Sequence, residues 1–370
     1  MKKMVIIVLL LVLRLGTVHS QGNDRAPAAV HARVEIPGSQ LLKINSSIVG
    51  QEYDIYVQLP GNYSDTSKTF PVLYVLDGQW DFSPVTAIYG QQYYDGFVPA
   101  VIVVGITWGG TNPNYDMLRA RDLTPTNVGW SPQSGGAPKF LAFIKNELIP
   151  FVESKYRAVK NDRTLIGSSY GGLFTLYAMF HEIALFQRYV LTSPSLGWDN
   201  GITYTYEKNQ ADNKHPLPVR LFMAIGGLEG ISGFQSFADR LKAGNYKGLE
   251  LTTRVLEGMG HSGSKAEGYS RGLQAVFARP SLSIDPSVLE HYVGEYQRGS
   301  NSRLTISREN DHLVVLIPDN SKLMLHAETE KDFYVKGQFL FIHFKKNSSG
   351  KVDGFQAERF GGEEFVKKVN

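Results

Sequence analysis

A serine hydroxyl becomes a nucleophile when a base takes its proton, a carboxylate orients that base, and N–H donors meet the oxyanion that forms. The segment Leu165-Ile166-Gly167-Ser168-Ser169-Tyr170-Gly171-Gly172-Leu173 carries a Gly-x-Ser-x-Gly pattern between a short apolar run and a helical one. Strand, sharp turn and helix in that order would expose Ser169 above the strand end, with Gly167 and Gly171 permitting close backbone approach. In a chain with 37 glycines the pattern alone is a weak signal, and a structural turn is its plain alternative. The strand–turn–helix setting favours catalysis, with the Tyr170 N–H at the helix start facing the oxyanion.

A base must reach Ser169 through the fold, and nine histidines are available. His19 falls in an N-terminal leader, and His291, His312, His326 and His343 fall in a C-terminal β-rich region. His31 precedes the first expected strand, His181 reads as a helix cap, and His215 sits in a polar, proline-bounded loop. His261, in Glu257-Gly258-Met259-Gly260-His261-Ser262-Gly263, follows the last expected sheet strand and is the candidate base, against an ordinary loop histidine. For the acid, Glu229 lies just beyond the apolar run Val219–Ile225, with Asp239 and Asp199 as alternatives. Serine, acid, histidine is the chain order of an α/β-hydrolase triad. A second oxyanion donor is expected from the loop after an early strand, at Gly78 or Gln79 in Asp77-Gly78-Gln79-Trp80, with Asp77 fixing that loop. In Arg119-Ala120-Arg121-Asp122, one arginine could bind an acidic or phenolic substrate group, or an Arg–Asp pair could pin the loop.

The elements that must position these residues follow from apolar patterning. Tyr53–Leu59 alternates as an edge-type strand, while Pro71–Leu76, Val101–Ile106, Arg163–Ile166 and Val219–Ile225 are compact apolar runs suited to a sheet covered on both faces. Thr253–Leu256 is the expected last long strand. Helical spacing marks 139–156, with a kink at Pro150, then 172–180, the region around 234–242, and a terminal helix through Leu273–Phe277. Strands alternating with helices predict an α/β fold with a mostly parallel central sheet. After Arg279-Pro280 short alternating pieces take over, which predicts a small antiparallel β domain over 288–370, the α/β domain spanning 21–280.

The chain has 370 residues, with 38 Lys+Arg against 35 Asp+Glu and no cysteine. The three cations of residues 1–20, Lys2, Lys3 and Arg14, account for the whole excess, so a broadly basic nucleic-acid surface is not expected. Lys2-Lys3, the apolar run Met4–Leu13 and Val18-His19-Ser20 read as a secretory signal cut before Gln21, with an uncleaved N-terminal anchor as the rival reading. No apolar stretch reaches the roughly 20 residues of a membrane span. A secreted or periplasmic location follows as an expectation. Without cysteine there is no disulfide, thiolate nucleophile or Cys-ligated metal. No metal or organic cofactor is implied.

These residues resemble a family of α/β-hydrolases that includes esterase D-like enzymes, feruloyl esterases and trilactone siderophore esterases. The resemblance runs over about residues 38–280. It rests on Tyr74-Val75-Leu76-Asp77-Gly78, Arg121-Asp122-Leu123-Thr124-Pro125, Gly135-Gly136-Ala137, Glu147-Leu148-Ile149-Pro150, the Ser169 motif, Ser193-Pro194-Ser195 and Gly260-His261-Ser262. It implies Ser169 as nucleophile, His261 as base, Glu229 as the acid used in some branches, and Arg121 as a substrate-binding arginine. The C-terminal part is similar to lipocalin-like domains appended to some secreted hydrolases. The expected activity is hydrolysis of a carboxylic ester through an acyl-enzyme, on small siderophore-like or plant-derived aromatic esters. A serine peptidase, an acyltransferase, or a non-catalytic binding protein on the same scaffold are the alternatives.

Overall fold

The computed structural model describes residues 35–300, 302–317, 321–360 and 362–369. The expected leader and His31 lie outside these residues. The order of elements is β1 (Ser39–Ser46), β2 (Gln51–Gln58), β3 (Phe70–Val75), α1 (Gly78–Tyr94), β4 (Ile102–Trp108), α2 (Tyr115–Leu123), α3 (Ala137–Phe143), α4 (Ile149–Lys155) and β5 (Ala158–Ser168). Next come α5 (Tyr170–His181), β6 (Arg188–Thr192), α6 (Ile202–Asn213), β7 (Arg220–Gly226), α7 (Ile231–Ala243), β8 (Glu250–Leu256) and α8 (Ser264–Val276).

These strands build one eight-stranded sheet in the order β1-β2-β4-β3-β5-β6-β7-β8. β1, β2 and β4 pair antiparallel, and every pairing from β4 through β8 is parallel. β4 reads Ile-Val-Val-Gly-Ile-Thr-Trp with all seven residues buried, as a strand covered on both faces must be. Because the sheet is parallel, the turns leaving β3, β5, β6, β7 and β8 gather at one end, where ligands bind in open α/β sheets. Among the described residues no helix is long and apolar enough to cross a membrane.

Several local expectations change. Tyr53–Leu59 is not an edge: β1, unexpected from the sequence, pairs along all of β2 and takes the edge itself. β6 was also missed, because Arg188-Tyr189-Val190-Leu191-Thr192 is too short to show a period. The segments at Gly78 and Arg119, read as loops, are the start of α1 and the body of α2. α2 is hard to see because its inward carboxylate, Asp122, breaks the apolar stripe. Between α3 and α4 the helix widens into a π-turn over Ile144–Leu148. Pro150 has no N–H to offer the carbonyl four residues earlier, so the ladder must be re-registered there.

Beyond α8, a short helix α9 (Pro286–Glu290) leads into β9 (Gly294–Arg298), β10 (Ser302–Glu309), β11 (His312–Leu316), β12 (Lys322–Ala327), β13 (Asp332–Tyr334), β14 (Leu340–Lys346), β15 (Val352–Arg359) and β16 (Gly362–Lys368). All pairs are antiparallel, and β9 bonds to both β10 and β16, closing a barrel. Closure removes the free edges that an open antiparallel sheet would expose. The interior is filled by Tyr296, Phe333, Phe344, Phe355, Leu313, Ile306 and their neighbours, all buried. The barrel is therefore a packed core rather than a ligand-holding calyx.

Candidate active site

Ser169 sits between the end of β5 and the first residue of α5, with φ 60° and ψ −116°. This backbone region is costly for any residue with a Cβ and is held only where surroundings over-determine it. Here they do. The Ser169 N–H donates to Thr192 O at 3.1 Å, and its carbonyl accepts from Leu173 N at 3.0 Å and Ser195 N at 3.2 Å. A Cβ on Gly167 would collide with the Gly171 carbonyl, and one on Gly172 would lie 3.0 Å from Pro194 Cα. Both glycines are thus required by close approach around the elbow. Ser195 Oγ stands 3.5 Å from Ser169 Oγ.

The acid and base come from adjacent strand ends. Gly227 N donates to Leu256 O at 2.7 Å and Leu228 N to Met259 O at 3.0 Å, so the turn after β7 is stitched to the turn after β8. Glu229 Oε2 accepts from His261 Nδ1 at 2.6 Å. Its Oε1 accepts from Ser193 Oγ at 2.6 Å and Gly226 N at 2.9 Å. Partial burial pushes the Glu229 carboxyl up, but the donors Ser193, His261 and Gly226 outweigh it and hold it below its ordinary range. An ionised Glu229 fixes the tautomer with the proton on Nδ1, leaving Nε2 of His261 as the basic nitrogen. Ser264 Oγ adds a brace, donating to His261 O at 2.8 Å and lying 2.8 Å from Ser193 Oγ. Of the alternative acids, Asp239 lies on α7 beside Lys242 and Asp199 lies in the turn before α6; the His261 imidazole bonds to neither.

The oxyanion candidates open two helices. Tyr170 is the first residue of α5, and Gly78 and Gln79 begin α1, so their N–H groups precede any intrahelical acceptor. A Cβ on Gly78 would lie 3.0 Å from the β4 backbone at Gly105 and Ile106, which is why glycine stands there. Asp77, in left-handed conformation at φ 54°, has both carboxylate oxygens engaged by Arg119, at 2.6 Å from Nε and 3.0 Å from Nη2. That pair neutralises a carboxylate otherwise awkward beside an oxyanion.

Arg121 turns the other way. Its Nε and Nη2 donate to Asp122 at 2.7 and 2.9 Å, and its Nη1 to Gln51 at 3.3 Å. Buried Asp122 also accepts from Tyr53 Oη at 2.6 Å and Trp108 Nε1 at 2.7 Å. This is the pinning arrangement that the Arg–Asp motif left open. The arginine near the elbow is Arg119, its guanidinium 5.3 Å from the Trp80 ring and 5.6 Å from the Tyr170 ring. Tyr170 also meets Trp198 edge-on, and Trp198 meets Trp130. Trp108 and Trp198 are buried, whereas Trp80 and Trp130 are 47% and 70% exposed, so two of the four tryptophans present open aromatic faces. Sequence reading left Arg119 as one of two candidate arginines, gave Ser193 no part although Ser-Pro-Ser at 193–195 was visible, and missed Ser264.

Residues 46–221 match the family model described as "Putative esterase", and residues 278–368 match a domain of unknown function, DUF3471. Ferri-bacillibactin esterase BesA of Bacillus subtilis (strain 168) is 30% identical over 233 residues, covering 56% of this chain and 77% of that protein. The chain belongs to this esterase family. The siderophore triacetylfusarinine C esterase of Aspergillus fumigatus is 32% identical over 173 residues, covering 45% of this esterase and 59% of its relative. A crystal structure of the BES protein from Bacillus cereus superposes with a TM-score of 0.62 at 28% identity, covering 66% of this esterase and 97% of that chain. The esterase is a carboxylic ester hydrolase on an α/β-hydrolase scaffold, and its substrate is a small-molecule ester.

Proposed function

We propose that this esterase cleaves siderophore-type or aromatic acyl esters through an acyl-enzyme on Ser169, outside the cytoplasm. The observation that carries the mechanism is the 2.6 Å bond from His261 Nδ1 to Glu229, on a turn stitched to the strand ends beside a serine held at φ 60°. In the first step Ser169 Oγ attacks the carbonyl carbon while His261 Nε2 takes its proton, and Glu229 balances the imidazolium. The oxyanion is met by the N–H of Tyr170 and an N–H of Gly78 or Gln79. Collapse breaks the C–O bond, and His261 returns the proton to the leaving alcohol. Water then attacks the acyl-enzyme with His261 again as base, releasing the acid and restoring Ser169.

The aromatic acyl preference is supported by the open faces of Trp80 and Trp130 and by Arg119 between Trp80 and Tyr170, a setting suited to flat, electron-rich or anionic rings. The siderophore-type reading is supported by relatives named as ferri-bacillibactin and siderophore triacetylfusarinine C esterases. Export is supported by the leader pattern of residues 1–20. The test is a panel of catecholate lactone, feruloyl, acetyl-sugar and p-nitrophenyl esters, each beside its matched amide, with Ser169→Ala as control. Turnover highest on catecholate or feruloyl esters supports the reading; equal turnover of acetyl-sugars, or of amides, overturns the substrate assignment. Cell fractionation with N-terminal sequencing checks export, a mature chain starting at Gln21 being the expected result.

A further inference from the structure

A second cleft, lined by cations, does not include Ser169 among its lining residues. Pro37–Asn370 forms one compact unit, and within it a cleft of about 460 Å³ opens between the α/β part and the barrel. That volume falls in the range of small-molecule sites. Arg254 from β8, Arg271 from α8, Arg279 from the connecting segment, and His326, Tyr334 and Lys336 from the barrel converge on it, and no aspartate or glutamate lines it. Ser169, Glu229 and His261 do not line it either. The α8 residues involved lie toward the C-terminal end of that helix, whereas the catalytic histidine immediately precedes its start.

The charges in the cleft are only partly compensated. Arg279 donates to both oxygens of Glu328 at 3.0 Å, and Arg271 has Glu267 at 3.9 Å. Among the described residues no carboxylate pairs with Arg254 or Lys336. Burial, and then the neighbouring His312 and Lys336, hold the His326 imidazole below its ordinary range, as expected where the local potential is positive. Its Nδ1 lies 3.1 Å from Ser281 Oγ, and its ring stacks 5.4 Å from Tyr334. Arg254 and Lys336 are exposed, and cations gathered from two parts of a chain set up a positive potential that draws an anion into the space between them.

We infer that this cleft binds a compact, multivalent oxyanion, bridged by Arg254 of the α/β part and Lys336 of the barrel. Carboxylates and phosphates share the needed chemistry, since guanidinium forks match both. An anion held there ties the barrel to the sheet edge, so occupancy raises the melting temperature as well as giving a binding signal.

The test is titration calorimetry of the full chain at matched ionic strength, with citrate in one arm and pyrophosphate in the other. Saturable binding of one equivalent of either probe is expected, and the tighter arm identifies the ligand as carboxylate- or phosphate-like. The double variant Arg254→Gln/Lys336→Gln should weaken binding at least tenfold while leaving ester turnover unchanged and the unliganded melting temperature no lower. The charge-retaining variant Arg254→Lys/Lys336→Arg should keep binding within a few-fold, which separates lost charge from lost folding. Absence of saturable binding in both arms, or equal binding by wild type and the Gln double variant, would overturn the assignment.

Discussion

The backbone of Ser169 stores strain of about 1–3 kcal/mol, held in place by hydrogen bonds to Thr192, Leu173 and Ser195. Replacing Ser169 by alanine removes the proposed nucleophile and leaves these bonds intact. Turnover should fall by roughly 10⁴–10⁶-fold with melting unchanged to within a few degrees, as kinetics and calorimetry together would show. Glu229→Gln keeps the shape and removes the charge proposed to stabilise the imidazolium. Its kcat should fall by about 10²–10⁴-fold. The same substitution tests the pH dependence of folding. A free glutamate titrates near about 4.3, and the folded Glu229 carboxyl is held lower by its three donors, against the opposing effect of burial. The stabilisation it contributes is therefore complete above the unfolded value and is lost as pH falls through the folded one. Urea melts should show wild type more stable than Glu229→Gln at pH 7, with the gap closing below about pH 4.

Two helices bring distant residues to the serine, and one buried ion pair locks them together. Asp81, in the first turn of α1, accepts from Lys265 Nζ at 2.8 Å and Tyr269 Oη at 2.7 Å, both on α8. The first amides of α1 are oxyanion candidates, and α8 begins three residues after His261, so this pair ties the helix of the candidate donors to the helix that follows the candidate base. Lys265→Met strands a nearly fully buried carboxylate. A buried pair broken on one side costs about 3–5 kcal/mol, and because Lys265 keeps partial exposure the lower end applies. Adding Asp81→Asn should restore most of that stability, since the lone charge is gone. If the pair also sets the spacing between donor and base, the double variant should fold well yet keep a reduced kcat with little change in KM. Full recovery of kcat would show the pair to be structural only.

Across the whole molecule, the barrel and the sheet meet through a glycine. Gly96, at φ +72°, closes against the barrel turn so tightly that a Cβ would lie 2.5 Å from Gln338 O. Tyr93 meets Phe339 edge-on, and Arg279 lies 4.4 Å from the Phe341 ring. Gly96→Ala should destabilise the docked arrangement by about 1–3 kcal/mol, read as an earlier first transition in calorimetry, while ester turnover at 25 °C stays unchanged. The barrel interior predicts a further outcome. Tyr292 and Phe344 stack at 4.0 Å, and Phe355 and Tyr296 fill the space beside them. A fluorescent fatty acid should therefore show no saturable binding inside the barrel. Phe344→Ala, which opens a cavity, should cost about 3–5 kcal/mol.

The placement of Ser169, Glu229 and His261 after successive sheet strands was legible in the sequence because each follows a strand-like run and sits in a glycine-rich turn, features set by local chemistry. The parallel sheet was legible for the same reason, its central strands being apolar on both faces. β1 and β6 were not, the first because its pairing with β2 is long-range, the second because five residues hold too little pattern. The two arginines of α2 show the limit most plainly. They stand two positions apart in one motif, yet one is taken by Asp122 on its own helix and the other reaches Asp77 beside the elbow. Chain position alone cannot tell them apart, because a side chain's partner depends on which elements the fold packs around it. The amino-acid order determined a serine hydrolase with a β-rich tail. Only the tertiary structure decided which cation sits among the aromatic rings, how the barrel closes and fills, and where the unpaired charges of the α/β part and the barrel converge.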